Sequence, residues 1–193
     1  MGFRLLYLLL FLAGCKSSHE IIATPPVPAT PSPATAQVAT LQIFFEQGQS
    51  KVPPDIQQLR FHLRTVGLSS DTLTQRWSIN RSIQITPDQL FHQLLLTTEV
   101  PAHTYDSLYI ALAQPYLTFS PNAGGPLAMT LPEMTIPASF QLKPGGQYAL
   151  YIRFEPEPSL WRDKHCHWHF EPFIVPVLNA LSPTQKYSEA PDQ

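Results

Sequence analysis

Cysteine, glycine and charge are all scarce in this chain. Two cysteines and eight glycines stand among 193 residues, and only 13% of residues are charged. So little glycine argues against a glycine-rich phosphate loop or a repeat array. The formal net charge of −2 is too weak a bias to point to nucleic acid or an anionic membrane surface as partner. Enzyme signatures are lacking too. The chain has no nucleophile elbow, no paired metalloprotease histidines on a helix, no nucleotide loop and no Cys-x-x-Cys. Asp71, Asp88, Asp106 and Asp163 lie scattered beside turns, and sequence alone brings no two carboxylates together. The expectation is a protein that is not an enzyme.

What the chain does have begins at its N-terminus. Arg4 precedes an apolar run, Leu5 to Leu12, and then come Ala13, Gly14 and Cys15. The run has the length of a secretory apolar region and is too short for a lasting transmembrane helix, which needs about 20 residues. Leu12-Ala13-Gly14-Cys15 resembles the lipobox of a bacterial lipoprotein at all four positions. The resemblance implies cleavage before Cys15 and lipidation of Cys15. The bilayer is then a partner through this anchor, because two or more acyl chains hold stably where one does not. Lys16, rather than aspartate, resembles the sorting pattern for the outer membrane. In a diderm bacterium the resemblance implies a domain in the periplasm or at the cell surface. Residues 1–14 are therefore expected to be a signal peptide. Without Arg4 the balance is 11 Lys and Arg against 14 Asp and Glu, or −3. Cys166 is left alone in an oxidising compartment, either as a buried apolar residue or as a reactive thiol.

Residues 15–36 read as the lipidated cysteine and a tether. The segment turns into Thr-Pro-Pro-Val-Pro-Ala-Thr-Pro-Ser-Pro-Ala-Thr-Ala, which favours extended polyproline conformations. Roughly 20 such residues reach up to about 60 Å. Residues 37–180 read as one β domain, and 181–193 as a disordered polar tail.

Period-two alternation dominates the domain. Leu41, Ile43 and Phe45 mark a first strand. Leu59, Phe61 and Leu63 alternate with Gln58, Arg60, His62 and Arg64 in a second, giving one apolar face and one cationic, hydrogen-bonding face. Trp77, Ile79, Ile83 and Ile85 suggest one or two more. Leu108, Ile110 and Leu112 face away from Tyr109, Ala111 and Ala113. Tyr148, Leu150, Ile152 and Phe154 form the clearest strand, stopped by Glu155-Pro156-Glu157-Pro158. Pro121 to Pro126 and Lys143-Pro144-Gly145-Gly146 read as turns. Pro176 demotes the last strand to an edge. One helix is predicted from Thr86 to about Leu96. Thr86-Pro87-Asp88-Gln89 offers a capping box, and Leu90, Phe91, Leu94 and Leu95 follow at helical spacing. The pattern is an all-β, antiparallel sandwich with one short helix.

Val100-Pro101-Ala102-His103-Thr104-Tyr105 leads into one strand. Ile136-Pro137-Ala138-Ser139-Phe140 and Leu142-Lys143-Pro144-Gly145-Gly146 lead into Leu150-Tyr151-Ile152-Arg153-Phe154. Over roughly residues 40–178 this order resembles a family of bacterial lipoprotein domains of unknown function with a transthyretin-like sandwich. The resemblance implies that fold and an envelope setting. His103 stands where the family has a glycine, and the family offers no catalytic residues to carry over.

Two sets of residues are candidates for binding. Lys164 to Phe170 read as a strand would line His165, His167 and His169 on one face, about 7 Å apart, with Cys166, Trp168 and Phe170 opposite. Such imidazoles suit copper or zinc, with His62 or His103 supplying a further ligand from a neighbouring strand. The same alternation also describes any half-exposed sandwich strand, or a patch that titrates near pH 6.5. Tyr109 and Tyr151, on faces opposite the apolar stripes, are candidates for an exposed patch that meets an envelope protein partner. The leading functional expectation is a membrane-anchored, non-enzymatic binding or structural module without a cofactor. The alternative is copper or zinc handling.

Overall fold

The computed structural model describes residues 37–120 and 123–182. The segments expected to be a signal peptide and a tether, with Cys15, and most of the expected polar tail lie outside the described residues. So do Pro121 and Asn122.

The described chain is an all-β sandwich. One sheet runs in the order β12-β9-β1-β4. It contains β1 (Val38–Gln47), β4 (His92–Pro101), β9 (Gln147–Glu155) and β12 (Phe173–Ala180). The second runs β3-β2-β5, with β3 (Thr74–Ile85), β2 (Gln58–Ser69) and β5 (Thr104–Ser120). The free side of the long β5 is shared. β8 (Glu133–Gln141) pairs with its first half and β6 (Ala123–Pro126) with its end. A small third sheet holds β10 (Leu160–Arg162), β11 (Trp168–Phe170) and β7 (Ala128–Met129). Pairing is antiparallel except β1 with β9 and β11 with β7.

Alternation places the core. Leu41, Ile43 and Phe45 of β1 are fully buried, as are Leu59, Phe61 and Leu63 of β2 and Leu150, Ile152 and Phe154 of β9. Phe45, Phe61, Phe154 and Phe170 meet at the centre with ring centroids 5.3–6.1 Å apart, within the range of favourable aromatic pairs. They come from β1, β2, β9 and β11, so one cluster touches all three sheets. Trp77 to Ile85 proves to be a single strand. Trp77, Ile79, Ile83 and Ile85 keep one phase along it, and the φ of 50° at Asn80 accompanies a bulge across which β2 changes phase from Leu63 to Val66.

The helix expected from Thr86 to Leu96 is not formed. Thr86 and Gln89 close a tight turn instead, and the chain enters β4 at His92. Pro87 suits that turn as well as it suits a helix start. A three-turn helix has little stability of its own, whereas β4 satisfies the free edge of β1 along nine paired positions. Leu95 and Val100 are buried in this way. Leu90 and Leu94, half of the apparent helical stripe, are left 80% and 45% exposed. The short helix of the fold, α1 (Pro156–Ser159), lies where the Glu155-Pro156 signal stops β9.

The glycine-bearing segment expected as a turn after Pro121 becomes β6. A Cβ on Gly124 would fall 2.4 Å from the Leu117 carbonyl oxygen, so glycine permits the close pairing. Gly145 does sit in a turn, with φ of 69°. Pro176 lies on β12, which pairs on one side only, as an edge proline should.

Truncating Phe61 removes the ring that meets three other phenylalanines. Phe61→Ala should cost about 3–5 kcal/mol in chemical denaturation. A loss below about 1 kcal/mol would mean that the sheets are held together elsewhere.

Candidate functional site

The histidine-rich segment does not form the flat strand expected from Lys164 to Phe170. Only Trp168–Phe170 is extended. Asp163 to His167 is a tight turn, in which Cys166 accepts φ of 64° and its N–H reaches the Asp163 carbonyl. The reason is Asp163. Its Oδ1 accepts the backbone N–H groups of His165 (2.8 Å) and His167 (2.9 Å), which bends the chain back on itself. An aspartate that captures N–H groups two and four residues on competes directly with a strand ladder.

This turn overturns two readings of the segment. Cys166 is exposed rather than packed inward. The three imidazoles are also not equivalent. His169 stands in β11, with Nε2 3.2 Å from Asp163 Oδ2 and its ring stacked on Trp161 at 4.2 Å. His167 Nδ1 lies 3.4 Å from the same oxygen but is largely exposed. His165 has its ring 6.2 Å from that of His167. Arg162 lies over Trp168 at 4.3 Å and pairs with Asp55.

The Asp163 carboxyl is held well below its usual range, at about 2. The His167 N–H is the main cause. Partial burial opposes it, and the His169 ring and the His165 N–H add to it. A depressed carboxyl contributes stability that is complete above its ordinary value of about 3.8 and is lost as pH falls through about 2.

The remaining candidates lie apart. His62 is on the outer face of β2, in the second sheet, paired between Ser82 and Ala113. His103 has its Nε2 3.0 Å from the Ser70 hydroxyl. It does not take the positive φ that a glycine-specific position would impose. Among the described residues no group of three His, Cys, Asp or Glu is arranged to hold a metal ion.

Tyr109 and Tyr151 belong to different sheets and form no common patch. Arg76 covers the Tyr109 ring at 4.1 Å. The hydrogen bond to Glu133 is the main reason the Tyr109 phenol is held above its usual range. Tyr151 stacks on Phe44 at 5.1 Å, and Phe44 stacks in turn on His92. Beside them Arg153 and His92 share the Glu46 carboxylate. Both tyrosines therefore cover neighbours on their own sheets.

Sequence reading placed no role on Asp163, Trp161, Asn80 or Gln114. Asp163 was detectable in principle. An aspartate two and four residues before His165 and His167 matches the turn in which a side chain mimics a backbone carbonyl. Asn80 is of a residue type that tolerates its positive φ, whereas Gln114 carries no such local signature.

No family model matches this chain, and no curated protein matches its sequence.

If Asp163 organises the turn, its carboxyl carbon should titrate near pH 2 by NMR. Asp163→Ala should speed amide exchange of His165 and His167 at least about tenfold, because each N–H loses its acceptor. A titration near 3.8 or unchanged exchange would contradict the arrangement.

Proposed function

We propose that this protein is a lipid-anchored lipoprotein of the bacterial outer membrane. Its β-sandwich, of transthyretin-like type, acts as a non-enzymatic binding or structural module in the envelope. The observation that carries the anchor is Leu12-Ala13-Gly14-Cys15 after a positively charged, short apolar segment. Lys16 supports outer-membrane sorting. The Pro-rich segment before residue 37 supplies the reach between bilayer and domain. The module reading draws on the sandwich itself, whose polar side chains gather on open outer sheet faces. His62, Arg64 and Gln114 are one such group. The partner is an envelope component met at such a face. Copper or zinc handling by His165, His167 and His169 is the weaker alternative. Among the described residues these three imidazoles are not gathered into a group arranged to hold a metal ion.

Expression of the full chain in a diderm bacterium with labelled palmitate tests the anchor. The native protein should take up label and stay in the membrane fraction after a high-salt wash. Cys15→Ser should lose both properties, since it removes the thiol that would carry the acyl chains. Label or retention that survives Cys15→Ser would overturn the anchored reading.

A further inference from the structure

The outer face of β2 holds charge of one sign without its counterpart. Arg60, His62 and Arg64 stand there, and neither β2 nor β3 contains an aspartate or glutamate. Two other arginines of the described residues are neutralised. Arg153 bonds Glu46 at 2.9 Å, and Arg162 pairs with Asp55. Arg60 and Arg64 have no carboxylate partner among the described residues. Arg60 rests instead 5.3 Å over the Tyr116 ring, which holds the guanidinium without neutralising it.

These side chains line a depression rather than a flat face. A cleft of about 500 Å³ is bounded by Arg60, His62, Ser82, Gln114 and Tyr116. A second of about 400 Å³, bounded by Arg64 and Asn80, shares His62 and Gln114 with it. The two clefts adjoin at His62 and Gln114 and are treated together as one depression. Its rim carries two of the three non-glycine residues with positive φ among the described residues. Asn80 on β3 and Gln114 on β5 take φ of 50° and 51°, flanking β2 from both sides. The β2 ladder skips register between Arg60 and His62 against β5, and between Leu63 and Thr65 against both neighbours. Bulges re-aim side chains, and backbone strain of this kind concentrates at ligand sites.

We propose that this depression binds a phosphate-bearing ligand. The ligand's oxyanion sits over His62, between the guanidinium groups of Arg60 and Arg64, with the Ser82 hydroxyl as a further donor. Guanidinium matches phosphate geometry in a planar, two-pronged fashion, and these donors form charge-assisted bonds. The chain as a whole is slightly acidic, so the attraction is local to this sheet. It does not depend on whether Cys15 carries lipid. The phosphate could belong to a soluble ester or to a phospholipid headgroup.

The test follows the His62 ring signals by NMR in the full chain, held in nonionic detergent. Inorganic phosphate is one probe, and mixed micelles containing phosphatidylglycerol are the other. Saturable shifts with inorganic phosphate are expected. Arg60→Gln or Arg64→Gln should each weaken binding about tenfold, the size of one lost charge-assisted bond. Arg76→Gln, on the same face but stacked on Tyr109 outside the depression, should leave binding unchanged. A response to the lipid micelles alone, with the same dependence on Arg60 and Arg64, would support the site and assign the phosphate to a headgroup. No response to either probe would overturn the proposal. So would an equal loss in Arg76→Gln, which would mark general charge attraction. Far-UV circular dichroism of each variant checks that these exposed substitutions leave the fold intact.

Discussion

Four phenylalanine rings hold this molecule together. Phe45 and Phe154 project from one sheet, Phe61 from the other, and Phe170 from the small third sheet. Each is fully buried. Burying such a ring contributes about 1.5–3 kcal/mol, and each good ring contact adds about 0.5–1.5. The cluster also sets what faces outward. With Phe61 pointing in, Arg60 and His62 must point out. With Phe170 pointing in, His169 must point toward Asp163 and Trp161.

Much of the fold was legible because it depends on period two. Leu41-Ile43-Phe45, Leu59-Phe61-Leu63 and Tyr148-Leu150-Ile152-Phe154 each carry their own instruction, which needs no distant partner to be read. The reading failed where a local signal had two meanings. Thr86-Pro87-Asp88-Gln89 begins a helix or closes a turn equally well. The choice fell to the open edge of β1, which lies some 40 residues earlier in the chain. His165-Cys166-His167 alternates like a strand, but one upstream carboxylate outcompetes the ladder by taking two N–H groups. Both errors come from interactions that alternation does not encode.

The polar sites were legible by the same measure. The cationic outer face of β2 was visible as alternation of Arg60, His62 and Arg64 with leucine and phenylalanine. That the face is a depression was not visible, because it needs Asn80 and Gln114 in strained conformations on two other strands. The tyrosine patch failed for a related reason. Tyr109 and Tyr151 share a pattern in sequence but occupy opposite sheets, each covered by its own neighbours. Outward orientation is local information, whereas convergence of two outward residues is not.

A single aromatic cluster couples the small third sheet, and the histidine turn it carries, to the sandwich. Hydrogen exchange on Phe170→Ala tests it most directly. Truncation should strip protection from the amides of Trp168–Phe170 and of the Asp163 turn, while pairing of β2 with β5 stays protected. Unchanged protection from Asp163 to Phe170 would contradict the account, because the third sheet would then be held by something other than the ring that joins it to Phe61 and Phe154.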